Sequence, residues 1–285
     1  MKRTLLTSMA ILAIFSTTFM VSCKKNAGDT EKSKTLAAET NAIAESQYND
    51  VTTIVDQAAL NSAVLLGAYG TGGSQSPFGP LGSNCVSVTV DTSANPRTIT
   101  IDFGTSNCLC LDGRMRRGKI LATYTGQYRQ TGTVVTISLD NYYVNEYKIG
   151  GTKKITNQGL NNAGNLVYKV EVTGEVTRPG ATAFSTWVST RYREWKQGYS
   201  TPLNILDDVY TITGDASGIL ADGSNYSLTI TSELVRKMNC QWFESGKIDL
   251  TETAMPKITL DYGSTGCDGN ATVTILGQHF PIVLQ

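Results

Sequence analysis

Residues 97–104 read Arg97-Thr98-Ile99-Thr100-Ile101-Asp102-Phe103-Gly104. Apolar Ile99, Ile101 and Phe103 alternate with polar Thr98, Thr100 and Asp102. A period of two is that of a β-strand with one buried face. The wording returns at Lys257-Ile258-Thr259-Leu260-Asp261-Tyr262-Gly263. In both places the motif I-T-[IL]-D-[FY]-G-[ST]-x-x-C ends on a cysteine, Cys108 or Cys267, and an Asp-Gly pair follows, Asp112-Gly113 or Asp268-Gly269. Equivalent positions for Asp102 and Asp261 point to a shared structural role in the turn after each strand.

The same period extends outward from these two stretches. Val86-Val88-Val90, Val135-Ile137-Leu139 and Leu228-Ile230 alternate in the same way, and Gly150-Gly151, Pro179-Gly180 and Asp222-Gly223 punctuate them. Residues 85–285 therefore read as a β domain of about eleven antiparallel strands. An open, twisted meander or sandwich is expected, with a closed up-and-down barrel as the alternative. A second repeat, Y-x-I-x-G, occurs at Tyr147-Lys148-Ile149-Gly150-Gly151 and at Tyr210-Thr211-Ile212-Thr213-Gly214. The order of the two repeats differs between the halves, which suggests duplicated β-units related by pseudo-symmetry.

Composition agrees. The chain has 285 residues, 38 of them Thr and 27 Gly, and only 17% are charged. Its 24 basic and 24 acidic residues cancel, which argues against a nucleic-acid partner, since such a domain carries a basic surface. The apolar content of 40% argues against disorder.

The N-terminus carries an address. Lys2 and Arg3 precede an uncharged run from Leu5 to Val21, the form of a secretory signal peptide. Met20-Val21-Ser22-Cys23 resembles the lipobox of bacterial lipoproteins. That resemblance implies a signal peptide over 1–22, a lipidated Cys23 as the new N-terminus, and attachment to a membrane through the lipid. A polar tether follows over 23–33. Over 34–61, Leu36, Ile43, Tyr48, Val51, Ile54, Val55 and Ala58 recur at helical spacing and predict an amphipathic helix packed on the sheet. Its polar face is acidic, unlike that of a membrane-surface helix. A Gly-rich loop over 62–84 leads to the sheet.

The cysteines divide accordingly. Equivalent repeats should close alike, so Cys85 pairs with Cys108 and Cys240 with Cys267, in a compartment where disulfides persist. Cys110 is left over as a buried thiol or an alternative partner for Cys85.

Catalytic chemistry is sparse. His279 is the single histidine. There is no G-x-S-x-G, no phosphate-binding Gly motif and no spaced calcium loop around Asp207-Asp208. No catalytic residue, metal site or cofactor is expected. Aromatic and basic residues are more suggestive. If 184–196 is a strand, Trp187, Arg191, Arg193 and Trp195 share a face with Ser189, while Phe184, Thr186 and Val188 take the other. Trp beside Arg suits a stacking platform for a glycan or other polar ligand; Trp packed under the helix is the alternative. Arg114, Arg116, Arg117 and Lys119 form a basic cluster that suits either an anionic surface or a solvated hairpin tip.

Together, I-T-I-D-F-G, D-G-R-x-R-x-G-K-I, Y-T-G-x-Y-R, D-N-Y-Y-V-N and T-P-L-N-I-L-D-D-V-Y resemble a set of uncharacterised β-rich lipoproteins of Bacteroidota-type bacteria. The resemblance implies an exported domain in the cell envelope, the outer membrane before the inner, and carries over no catalytic residue. The function expected is a non-enzymatic binding or structural lipoprotein, with a polysaccharide or an envelope protein as partner. A glycan-acting hydrolase and a lipid-carrying barrel are the alternatives.

Overall fold

The computed structural model describes residues 27–60, 84–127, 129–201, 204–264 and 266–284. The signal peptide, Cys23 and nearly all of the Gly-rich loop lie outside the described residues. The chain divides into two compact units, Met1–Ser33 and Lys34–Gln285, and the account below concerns the second.

Over the described residues the protein is mainly β with one α-helix. The helix α1 spans Ala27–Leu60, so it begins earlier than the expected Lys34, and residues 27–33 of the expected tether are helical. Fourteen strands follow, three more than the alternation alone resolves: β1 (Ser87–Asp91), β2 (Arg97–Asp102), β3 (Cys108–Leu109), β4 (Met115–Tyr124), β5 (Val134–Val144), β6 (Tyr147–Leu160), β7 (Leu166–Thr177), β8 (Phe184–Gln197), β9 (Val209–Ile219), β10 (Asn225–Lys237), β11 (Ser245–Glu252), β12 (Ile258–Asp261), β13 (Asn270–Ile275) and β14 (Gln278–Val283). All belong to one antiparallel sheet whose order follows the chain, with β3 a short addition to β4. Strands β1 and β14 have one neighbour each, so the sheet is open, and the closed-barrel alternative is corrected.

The helix packs on the sheet as expected, but its polar face is buried as well. Between positions 36 and 60 no residue is exposed, and polar Asn41, Glu45, Gln47 and Thr52 are as buried as Ala44 and Ile54. The sheet curls around α1. Arg116 of β4, Lys153 of β6, and Trp187 and Arg191 of β8 all bond to it. Ile282 and Leu284 at the far edge share a depression with Glu39 and Ile43. Glu45 and Asp50 of α1 meet arginines on the concave face of the sheet.

Curling is produced at kinks. Gly151 has φ +101°, and a Cβ there would lie 2.2 Å from the carbonyl oxygen of Thr173; Gly214 has φ +121° and the same 2.2 Å approach to Thr190. These two glycines close the two Y-x-I-x-G repeats. Gly118 and Gly246 form a second matched pair, approaching the main chain of Asn141 and Glu233. The ladders with β5 and β10 shift register at these points.

The matched kinks reveal a pseudo-twofold axis between β7 and β8 that maps β6 on β9, β5 on β10, β4 on β11 and β2 on β12. Asp102 accepts from the Gly104 amide at 2.8 Å and Asp261 from that of Gly263 at 2.9 Å, so both serve the turn as expected. Each also pairs with the lysine after a kink glycine, Lys119 at 3.0 Å and Lys247 at 2.9 Å. The mapped units run in opposite order along the chain, so simple tandem duplication does not generate them. The disulfides are Cys85–Cys108 and Cys240–Cys267, and Cys110 is a buried thiol.

Candidate functional site

The expected Trp–Arg platform faces the interior. Trp187, Arg191, Arg193 and Trp195 are each at least nine-tenths buried. The indole N–H of Trp187 donates to Asn41 Oδ1 at 3.0 Å, and its ring stacks on Tyr48 with centroids 5.3 Å apart. Arg191 bonds Glu45 at 2.8 Å. Trp195 donates to Asp208 at 3.1 Å and lies under the Arg129 guanidinium, 4.2 Å from it. Arg193 lies 4.1 Å over the Tyr210 ring. The exposed-platform reading of these four residues is corrected: they belong to the helix–sheet interior.

The basic cluster is dispersed in the same way. Asp50 on α1 holds both Arg114 at 3.1 Å and Arg116 at 2.8 Å, and Asp112 adds a second partner to Arg116 at 2.7 Å. Arg117 pairs with Glu146 and Lys119 with Asp102. Asp208, buried between Arg129, Trp195 and Tyr210, has its carboxyl pushed up to about 6 by burial, against the pull of Arg129. A cavity of about 40 Å³ remains beside Thr52, Val55, Tyr168 and Arg193. That is room for a few waters and not for an acyl chain. His279 is exposed on β14 and bonds Thr274 at 3.0 Å. Among the described residues no three His, Cys, Asp or Glu gather as a metal site.

The convex face carries a different constellation. Register places Arg117 opposite Tyr143, Tyr143 opposite Lys148, Lys148 opposite Thr177, and Thr177 opposite Phe184. These five side chains form one row across β4 to β8 and line a groove of about 550 Å³. Their chain neighbours Arg116, Tyr142, Ile149, Val176 and Ser185 are buried, so strand parity turns the row outward. The Arg117 guanidinium lies 3.7 Å over the Tyr143 ring. Glu146, in the β5–β6 turn, accepts from Asn107 at 2.6 Å and from Arg117 at 3.1 Å, and these bonds hold its carboxyl below the usual range. Gly150 and Glu175 face each other across β6 and β7 in the same groove. A Cβ on Gly150 would meet only Glu175, at 3.9 Å, so the groove is open above it.

The pseudo-twofold provides an internal comparison. The row that maps onto this one is Ser245–Val235–Thr211–Glu194–Val167, joined by the same cross-strand pairing. One half of the sheet thus carries Arg, Tyr, Lys, Thr and Phe where the other carries Ser, Val, Thr, Glu and Val. The kink glycines, the turn aspartates and their lysines are kept in both halves, whereas the row is not. The fold therefore does not itself demand an Arg–Tyr–Lys–Thr–Phe row.

The sequence places Phe184 on the strand face opposite Trp187, and of the two readings of the Trp face the structure shows the second, Trp packed under the helix. Comparison with protein-family models, curated proteins and solved structures gives no match.

Proposed function

We propose that this protein is a non-enzymatic, lipid-anchored lipoprotein of the cell envelope, held at the outer membrane through Cys23, whose convex groove binds a polysaccharide. The observation that carries the binding reading is the row from Arg117 to Phe184, present in one half of a pseudo-symmetric sheet and replaced in the other. An aromatic ring beside donors and acceptors in an open groove suits a chain of polyhydroxylated rings. The lipobox-like segment ending at Cys23 carries the anchoring reading.

Two other readings are less well supported. A lipid carrier needs an apolar lumen, and here the concave face of the sheet is filled by α1 and its ion pairs. Glycoside hydrolysis needs two carboxyl groups ~5–9.5 Å apart. Of the two carboxylates in the groove, Glu146 is held by Asn107 and Arg117, which keep its carboxyl below the usual range, the opposite of what a general acid needs. The interior carboxylates Glu45, Asp50 and Asp208 are held by guanidinium groups.

Two measurements test the proposal. Labelled fatty acid should enter the wild-type chain in cells and should not enter Cys23→Ser, which should leave the membrane fraction. Purified protein should be retarded in native gels containing polysaccharide, and Phe184→Ala should lose that retardation. Retention of the label by Cys23→Ser removes the anchor, and free migration of the wild type in every polysaccharide tried removes the binding function.

A further inference from the structure

We infer that the groove is built for a neutral polysaccharide chain lying across the strands, an inference that rests on the binding function proposed above. Charge arithmetic points there first. The lining cations are Arg117, Lys148 and Arg178, and the lining carboxylates are Glu146 and Glu175. The lining thus has one more cation than carboxylates, and that excess is offset just outside it, where Glu39 of α1 holds Arg178 at 3.7 Å. A groove that draws in an anionic polymer carries an excess of one sign, because the summed field steers the ligand. With Glu39 counted beside Arg178, this groove carries none.

The arrangement then fits uncharged sugar. Phe184 keeps 46% of its surface exposed and offers a flat apolar ring to the C–H face of a pyranose. Lys148 is a pure donor, the Glu175 carboxylate a pure acceptor, and the Thr177 hydroxyl between them is both. Sugar hydroxyls, which donate and accept, use that set without a net charge. Above Gly150 the missing side chain leaves space for a ring to sit against Glu175. The row runs perpendicular to the strands across four inter-strand spacings, about 19 Å in all, so a chain that uses all of it crosses the strands.

The test compares neutral polymers (dextran, mannan, mixed-linkage β-glucan) with acidic ones (alginate, polygalacturonate) by isothermal titration and native affinity gels, at about 0.05 and 0.5 M NaCl. Expected is binding to at least one neutral polymer, with an affinity that changes less than about twofold between the two salt concentrations. Phe184→Ala and Gly150→Leu should each weaken it by about tenfold or more, with melting temperatures near that of the wild type. Binding confined to acidic polymers and abolished by salt overturns the neutral assignment and leaves the polysaccharide function standing. Absence of binding to either class overturns both. Neutral binding that survives both substitutions places the site elsewhere and overturns the inference. Should Gly150→Leu fail to fold, Phe184→Ala decides alone.

Discussion

The ammonium of Lys153, on the concave face of β6, donates a 2.8 Å hydrogen bond to the main-chain carbonyl of Tyr48 in the middle of α1. Lys153 is 3% exposed. Burial, reinforced by nearby Arg193, pushes its pKa from 10.5 down to about 7, while Glu45 and Asp56 oppose the fall. The unfolded chain therefore binds more protons than the folded one between about pH 7 and 10.5, and stability rises with pH across that window. The rise ends near pH 10, because burial raises the pKa of Tyr48, Tyr124 and Tyr142, and these favour the unfolded state once free tyrosine ionises. Thermal melts from pH 7 to 9.5 should climb for the wild type, and Lys153→Met should lose that climb. A flat wild-type profile would mean that Lys153 is solvated.

Asp208 adds the opposite slope at lower pH. Its folded pKa of about 6 lies above the ordinary 3.8, so the folded state holds the extra proton between those values and stability falls as pH rises through them. Asp208→Asn, which keeps the shape and loses the titration, should remove this contribution between about pH 4 and 6 in melts extended down to pH 4.

Arg116 has no exposed side-chain surface, and Asp50 and Asp112 share its guanidinium. Removing a partner from a buried pair costs about 3–5 kcal/mol, whereas replacing the group with apolar side chains of similar volume is often nearly neutral. Asp50→Ala should lose that much in urea unfolding, and Asp50→Leu with Arg116→Met should recover most of it. Equal losses in the single and double variants would mean that the carboxylate contributes through packing alone.

How much was legible follows from where each signal comes from. The turn aspartates and the disulfide pairing were readable because Asp102, Asp261, Cys108 and Cys267 repeat within the chain, and the antiparallel strands because period-two alternation runs through residues 85–285. Strand parity around Trp187 was readable too. Which face of that strand is inside stayed open between a solvent platform and a Trp face under the helix, because Arg191 and Arg193 read as solvent residues when taken alone. The partner of Arg191, Glu45, is 146 positions away on α1, Arg193 lies over Tyr210 of the next strand, and only the curled sheet brings helix and strands together. For the same reason the acidic stripe of α1 read as an outer face. The groove row was invisible because its five members come from five strands, and register is not written in any one of them.

The kinks at Gly151 and Gly214 are a further consequence of that curl. At Gly151 a methyl group meets the Thr173 carbonyl oxygen at 2.2 Å on a backbone of positive φ, while its neighbour Gly150 has room. Gly151→Ala should therefore cost about 2–4 kcal/mol or prevent folding, and Gly150→Ala should stay within about 1 kcal/mol of the wild type. Chemical denaturation of the two variants side by side makes the comparison. Similar losses in both would place the curvature elsewhere in the sheet.

Trp187 tests the assignment of the two faces most directly. Its indole is 2% exposed, stacks on Tyr48 and satisfies Asn41 on α1, so it joins helix to sheet. Trp187→Ala opens a large cavity and leaves the Asn41 carbonyl oxygen without its donor, a loss of about 3–5 kcal/mol. Trp187→Phe keeps most of the volume but still orphans Asn41, so an intermediate loss is expected. Phe184, three residues earlier and on the opposite face, should behave in reverse, with Phe184→Ala melting close to the wild type and binding polysaccharide poorly. Stability from urea unfolding and binding from affinity gels, measured on the same three variants, separate the two roles. A Trp187→Ala chain that melts like the wild type and no longer binds would put the indole at the ligand and reverse the faces. The expected pattern, with stability lost at 187 and binding lost at 184, follows from helix packing on the concave side and ligand binding on the convex side.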